Sequence, residues 1–159
     1  MCVGKLADQH KKMKRQPAQV LVIPYKRSND SIEYCLLKRS DGNYWQFVSG
    51  GVEGSETPLE AARREANEEA GIPIKSKIIQ LDSSCSVPAN IFPDWQQWPK
   101  GTYIVTEHAF GVEILNESIK LSDEHTDYQW KTFDEAVTLL KYDSNKTALW
   151  ELSQRLQSL

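Results

Sequence analysis

Glu65, Glu68 and Glu69 stand at i, i+3 and i+4, a short distance after the dipeptide Gly50-Gly51. On a helix those positions are surface neighbours, and like charges so spaced cost roughly 0.2–0.5 kcal/mol per pair. A cation that gathers the carboxylates removes that cost. Hard oxygen ligands suit magnesium, with manganese as the alternative, and such ions commonly bridge to substrate phosphates. A solvated acidic helix face is the plainer reading, but two neighbouring features weigh against it. Gly50 and Gly51 let the backbone come close to a ligand, where a free carbonyl adds a metal donor. Arg64 can pair with Glu56 or Glu60 and hold a loop against the helix. The expected chemistry is metal-assisted reaction of a phosphorylated small molecule.

The elements that must position these residues are legible nearby. Thr57 is a good N-cap, Pro58 fits the first helical position, and Glu60 can reach back to the Thr57 amide, which makes a capping box. Gly71 supplies the left-handed residue that ends a helix, so the helix should run from about Pro58 to Ala70. Leu59, Ala62, Ala66 and Ala70 form its expected apolar stripe, with the glutamates on the adjacent face. Ala18 to Tyr25 reads as a strand buried on both faces, and Ile32 to Lys38 as a second, joined by a turn at Asn29-Asp30. Tyr44 to Ser49 leads into the glycine loop. Further strands are expected over Ile74 to Asp82, Thr102 to Leu115 with a break near Gly111, and Asp127 to Lys131. A second capping box, Thr132 and Glu135, opens a helix to about Lys141. A last helix, about Asn145 to Leu159, carries Ala148, Leu149, Leu152, Leu156 and Leu159 on one stripe. Strands with helices on both sides imply an α/β fold of three layers.

The spacing Gly50, Glu56, Arg64, Glu65, Ala66, Glu68, Glu69, Gly71, Ile72 resembles the signature of the Nudix hydrolases at every fixed position, with Ala66 where a larger aliphatic is usual. The resemblance implies a Nudix-type three-layer α/β/α sandwich around a mixed β-sheet. It would make residues 1–159 a single Nudix domain, with residues 1–16 as a loose N-terminal arm. It also implies that Glu65, Glu68 and Glu69 hold the metal, helped by the carbonyl of Gly50 or Gly51, and that Glu56 and Arg64 brace the loop structurally. Glu124, six residues before Trp130, is expected as a further ligand or the general base, in competition with Asp123 and Asp127. His125 is expected to be a loop histidine.

Three residues outside the motif are expected at the substrate. Lys38 or Arg39 would contact phosphate, and Trp45 would stack a ring, although packing is an equal reading for it. The proline- and aromatic-rich stretch from Ser83 to Gly101 is expected to recognise substrate. Tyr44 to Ser49, Trp98 to Gly101, Thr106-Glu107 and Glu124-His125 with Trp130 are similar to the subgroup that releases pyrophosphate from dihydroneopterin triphosphate or dATP. Dinucleoside polyphosphate and ADP-ribose hydrolysis are the alternatives, Pro88 bearing loosely on the latter. A nucleotide-binding regulatory domain is the alternative of another class.

The chain has 159 residues, 40% hydrophobic and 26% charged, with a net charge of −3. Those values suit one ordinary domain and give no general attraction to nucleic acid. No apolar run is long enough to span a bilayer, and the N-terminus lacks the apolar core of a secretory signal. Cys2, Cys35 and Cys85 lack metal-ligand spacing and read as reduced thiols of a cytoplasmic protein. Lys11, Lys12, Lys14 and Arg15 read as a solvated arm. The expected partner is a nucleoside or pterin triphosphate rather than a membrane or nucleic acid. The family resemblance allows a homodimer, for which the sequence marks no interface.

Overall fold

In a computed structural model that describes residues 14–158, the chain runs through seven strands and three helices. Strand β1 (Arg15–Ser28) is the organising element. Along one edge it pairs antiparallel with β2 (Ser31–Arg39) at Tyr25–Ser28 and with β4 (Val48–Glu53) over Arg15–Val22. Along its other edge it pairs in parallel with β6 (Ile104–Glu113), which pairs antiparallel with β5 (Ile78–Pro88). Strands β3 (Trp45–Gln46) and β7 (His125–Lys131) flank β2. The sheet is therefore mixed.

Side-chain alternation along β1 divides the core. Val20 and Val22 pack under α1 (Pro58–Ala70) with Val48, Val52, Phe110 and the buried alanines of that helix. Leu21 and Ile23 face α2 (Phe133–Leu139) and α3 (Asp143–Gln157), together with Phe47, Leu149, Leu152 and Leu156. Period-2 burial on both faces explains why this strand reads as an almost unbroken apolar run. The result is an α/β/α sandwich.

Local signals set the helix ends. Glu60 N donates to Thr57 Oγ1 at 3.2 Å, and Thr57 N donates to Glu60 Oε1 at 3.3 Å. Gly71 closes α1 in the left-handed region, at φ 70°, with its N–H directed to the Ala66 and Asn67 carbonyls. Thr132 and Glu135 form the second capping box, but α2 ends at Leu139.

Four expectations need correction. Gly50 and Gly51 lie within β4, paired with Val20 and Gln19, rather than in a loop. β5 begins and ends later than expected, so Ser83 to Pro88 is strand and only the following residues form turns, two short 3-10 segments over Ala89–Ile91 and Pro93–Gln97. β6 continues through Gly111 without a break, because a Cβ there would lie 2.7 Å from Leu152 Cδ1 and glycine lets α3 sit close. Arg15 and Gln16, expected in the loose arm, open β1. Residues 1–13 of that arm, with Cys2, Lys11 and Lys12, lie outside the described residues, as does Leu159. Cys35 is buried and Cys85 partly exposed, and both are free thiols.

Candidate active site

The buried arc of α1 comprises Ala61, Ala62, Glu65, Ala66, Glu69 and Ala70, whereas Leu59 is 39% exposed. Two glutamates thus enter the buried face with the alanines instead of lying beside it. Small alanines allow the helix onto β4 closely enough that a Cβ at Gly50 would fall inside the Glu65 carboxylate. That contact is a physical reason for glycine at position 50. At Gly51 the same Cβ would meet the Arg15 side chain.

Arg64 ties the helix to the preceding turn. Its Nε and Nη2 donate to the two Glu56 oxygens at 2.8 and 3.0 Å, and Nη2 also donates to the Gly51 carbonyl at 2.8 Å. Nη1 reaches Glu65 Oε1 at 2.8 Å and Glu68 Oε2 at 3.2 Å. A fork-to-fork pair of this kind fixes orientation as well as charge. Glu60 is occupied by the capping box, so Glu56 is the partner of Arg64. The Gly51 carbonyl accepts from Arg64, and Gly50 is paired across the sheet with Val20.

Glu65 and Glu69 are 8% and 3% exposed. Burial pushes the Glu65 carboxyl up to about 7, against the pull of Arg64. Glu69 is pushed up to about 9 by burial, by the Glu65 charge and by a carboxyl–carboxyl contact with Glu124. The Ser49 amide donates to Glu69 Oε2 at 3.2 Å and only partly offsets this. Glu124 comes from the turn before β7, whose backbone is held by Ser40, with Ser40 N donating to the Glu124 carbonyl at 2.9 Å. Its carboxylate lies 3.6 Å from Arg39 Nη1.

These groups share one cleft of about 500 Å³, lined by Glu53, Glu65, Glu69 and Glu124 on the acidic side and by Lys14, Arg15 and Arg39 on the basic side. Glu68 is turned outward to Arg64 and does not line it. Among the described residues no three acidic or histidine side chains converge at metal-ligand distance. The donor set nevertheless fits a divalent ion. Two buried carboxyls are held above their ordinary range, and a hard cation replaces such protons at a cluster of oxygen donors.

The other expected site residues divide. Arg39 lines the cleft, bound in bidentate fashion to Asp41 at 2.7 and 2.9 Å. Lys38 does not line it; its neighbours across the sheet are Trp45 and Asp127. Trp45 packs against the core beneath α2 and α3, with its carbonyl accepting from Lys141 N at 3.3 Å. His125 is buried at the start of β7, with Nε2 3.3 Å from Gln46 Nε2. In the stretch after β5, Trp98 is buried with Ala89 and Val105 and donates to the Arg15 carbonyl at 2.7 Å. Trp95 donates to the Thr102 carbonyl at 2.9 Å. Phe92 does face the cleft, with the Arg15 guanidinium 4.7 Å from its ring centroid. Sequence reasoning passed over Gln19, Ser49 and Glu53 and set Lys14 and Arg15, which could have touched phosphates, aside as part of a solvated arm.

Residues 15–152 match the NUDIX domain, and the chain belongs to that family. It is 31% identical over 132 residues to the dihydroneopterin triphosphate diphosphatase of Haemophilus influenzae, covering 82% of this chain and 83% of that protein. It is 35% identical over 135 residues to the asymmetrical bis(5'-nucleosyl)-tetraphosphatase of Mus musculus, covering 84% and 86%. A crystal structure described as a NUDIX hydrolase from Listeria monocytogenes superposes with a TM-score of 0.82 at 39% identity, covering 90% of this chain and 96% of that one.

Proposed function

We propose that this Nudix hydrolase is a metal-dependent pyrophosphohydrolase of a heterocyclic triphosphate, with dihydroneopterin triphosphate or a (deoxy)nucleoside triphosphate as substrate. The enzyme hydrolyses a diphosphate linkage. Water adds to one phosphorus, the bridging P–O bond breaks, and the products on this reading are a monophosphate and pyrophosphate. The observation that carries the reading is the cleft itself, where buried carboxylates face Lys14, Arg15 and Arg39 across a space sized for a polyphosphate.

Glu65, Glu69 and Glu124, with the carbonyl of Gly50 or Gly51, are the groups we assign to magnesium or manganese, and Glu68 would join them by leaving Arg64. A bound ion of this kind neutralises phosphate charge and lowers the pKa of a coordinated water. Arg39 and Arg15 orient the phosphates, Arg39 from its fork with Asp41 and Arg15 from beneath Phe92. General base for the attacking water is the alternative role of Glu124 to that of metal ligand. Glu56 and Arg64 hold the turn before α1 against the helix and do not touch substrate.

The kinship with the tetraphosphatase supports a second reading, asymmetric cleavage of a dinucleoside tetraphosphate. A hydrolysis panel with magnesium separates the two: dihydroneopterin triphosphate, dATP, GTP, diadenosine tetraphosphate and ADP-ribose. Pyrophosphate released chiefly from the first three is the expected outcome, with activity lost on chelation and in Glu69→Gln. Preference for diadenosine tetraphosphate would establish the second reading, and preference for ADP-ribose would overturn both.

A further inference from the structure

Behind the acidic cleft lies a second cavity of about 310 Å³, sharing Gln19, Ser49 and Phe92 with it as a common wall. Its sides are largely apolar, from Leu21, Val87, Ile91, Phe92 and Tyr142. Gln19, Gln46, Ser49, Ser144 and Asn145 add neutral polar groups, and the one charged group is a carboxylate. Glu107 projects from the middle of β6 and is 7% exposed. No basic side chain pairs with it among the described ion pairs. Its partners are the Gln19 side-chain amide and the Ser144 hydroxyl, both neutral donors.

Burying a carboxylate without a cation is costly, and a structural role would be served as well by glutamine. Burial pushes the Glu107 carboxyl above its ordinary range, against the pull of Gln19 and Ser144, and a ligand that brings two donors favours the ionised form, which offers about four acceptor positions on two oxygens. Gln19 and Ser144 use two of them, which leaves two for a ligand in the cavity. An apolar slot with a single acceptor-only group selects a flat ring that presents two adjacent donors. A 2-amino-4-oxo ring does so, through its ring N–H and exocyclic amino group; pterin and guanine both carry that edge. Adenine presents a ring acceptor beside its amino group and would set a lone pair against the carboxylate.

We propose that Glu107 is the specificity-determining residue of a heterocycle subsite, its carboxylate accepting both hydrogens of a 2-amino-4-oxo edge while the triphosphate lies in the acidic cleft. Gln19 then acts as the hinge between subsites, since it lines both cavities and holds Glu107 in place. The assignment rests on the triphosphate reading above and narrows it to pterin or guanine substrates over adenine ones.

The test compares kcat/KM for dihydroneopterin triphosphate, GTP and ATP in the wild type and in Glu107→Gln, which keeps the size of the side chain but turns one acceptor into a donor. The preference for pterin and guanine over adenine is expected to fall by roughly tenfold or more, as unpaired donors replace a paired edge. A ratio unchanged within about twofold, in a variant that melts like the wild type, overturns the role of Glu107 and leaves the hydrolase reading intact. Binding of guanosine and adenosine 5'-monophosphates to the chelated wild type by calorimetry provides an arm independent of turnover and of the variant's folding. Tighter binding of the guanosine compound supports the subsite even if no triphosphate is hydrolysed, which would overturn only the triphosphate reading. Equal or tighter binding of the adenosine compound overturns the assignment.

Discussion

Glu69 sits among carboxyls with Ser49 as its one amide donor, and its carboxyl is pushed up to about 9 from an ordinary 4.5. Without a cation the native protein therefore keeps a proton there that the unfolded chain releases. Stability is greatest below the ordinary value and falls as pH rises through the window to about 9, because only the native state holds the proton. Glu69→Gln carries no such penalty. In chelated protein, its melting temperature is expected to exceed that of the wild type by a margin that widens from about pH 5 to about pH 9. Turnover with magnesium is expected to fall by roughly a hundredfold or more in the same variant. A margin that stays flat with pH would show that Glu69 is not buried in the uncompensated state described. Burying a carboxyl whose ionisation is opposed in this way costs stability near neutral pH.

At the scale of elements, α3 is fastened to β5 by one carboxylate. Glu151 accepts from Asp82 N and Ser83 N, both at 2.7 Å, and from Ser83 Oγ at 2.6 Å, where β5 is irregular between Gln80 and Ser84. Arg155 completes the cluster from one turn onward, its Nε 2.7 Å from Glu151 Oε2. Burial opposes ionisation there, but these donors prevail and hold the carboxyl at about 2. A depressed value means stability that is present above the ordinary carboxylate range and is lost as pH falls toward 2. Glu151→Gln is expected to lower the melting temperature by several degrees near neutral pH, with the difference shrinking through the acid range. Equal melting at all pH values would remove Glu151 as the fastening. The substitution touches neither cavity's polar groups, so kcat per folded molecule should change little.

For the whole molecule, the two cores share the strands that lie between them. Val20 and Val22 of β1, Cys35 and Leu37 of β2 and Phe110 of β6 belong to the α1 side, whereas Leu21 and Ile23, Leu36 and Ala109 belong to the side of α2 and α3, so loss of either core removes the packing on one face of the same strands. We propose that residues 14–158 unfold as one cooperative unit. Trp130 packs against the first core and Trp45 against the second, which gives each core its own fluorescent reporter. Urea transitions followed through either tryptophan, with the other four of the chain's five tryptophans replaced by phenylalanine, should coincide with the loss of far-ultraviolet circular dichroism. Separated midpoints would divide the chain into two units. Among the described residues no helix is long and apolar enough to cross a membrane.

The limits of α1 were legible because they depend on neighbours within one turn: Thr57 with Glu60, Pro58 at the start, Gly71 at the end. The family was legible for a related reason, since its signature residues occupy fixed positions along one short segment. The alternation of β1 was equally local and announced a strand buried on both faces. What those residues face is a different matter. Burial of Glu65 and Glu69, exclusion of Lys38 and Trp45 from the cleft, and entry of Arg15 into it all depend on which strands lie side by side. Gln19 and Glu107 are 88 positions apart and meet only because β1 and β6 run in parallel. Local hydrogen bonding writes itself into spacing along the chain. Desolvation and charge proximity sum over residues that only the folded sheet brings together, and the same packing decided which of the glutamates are buried at the cleft.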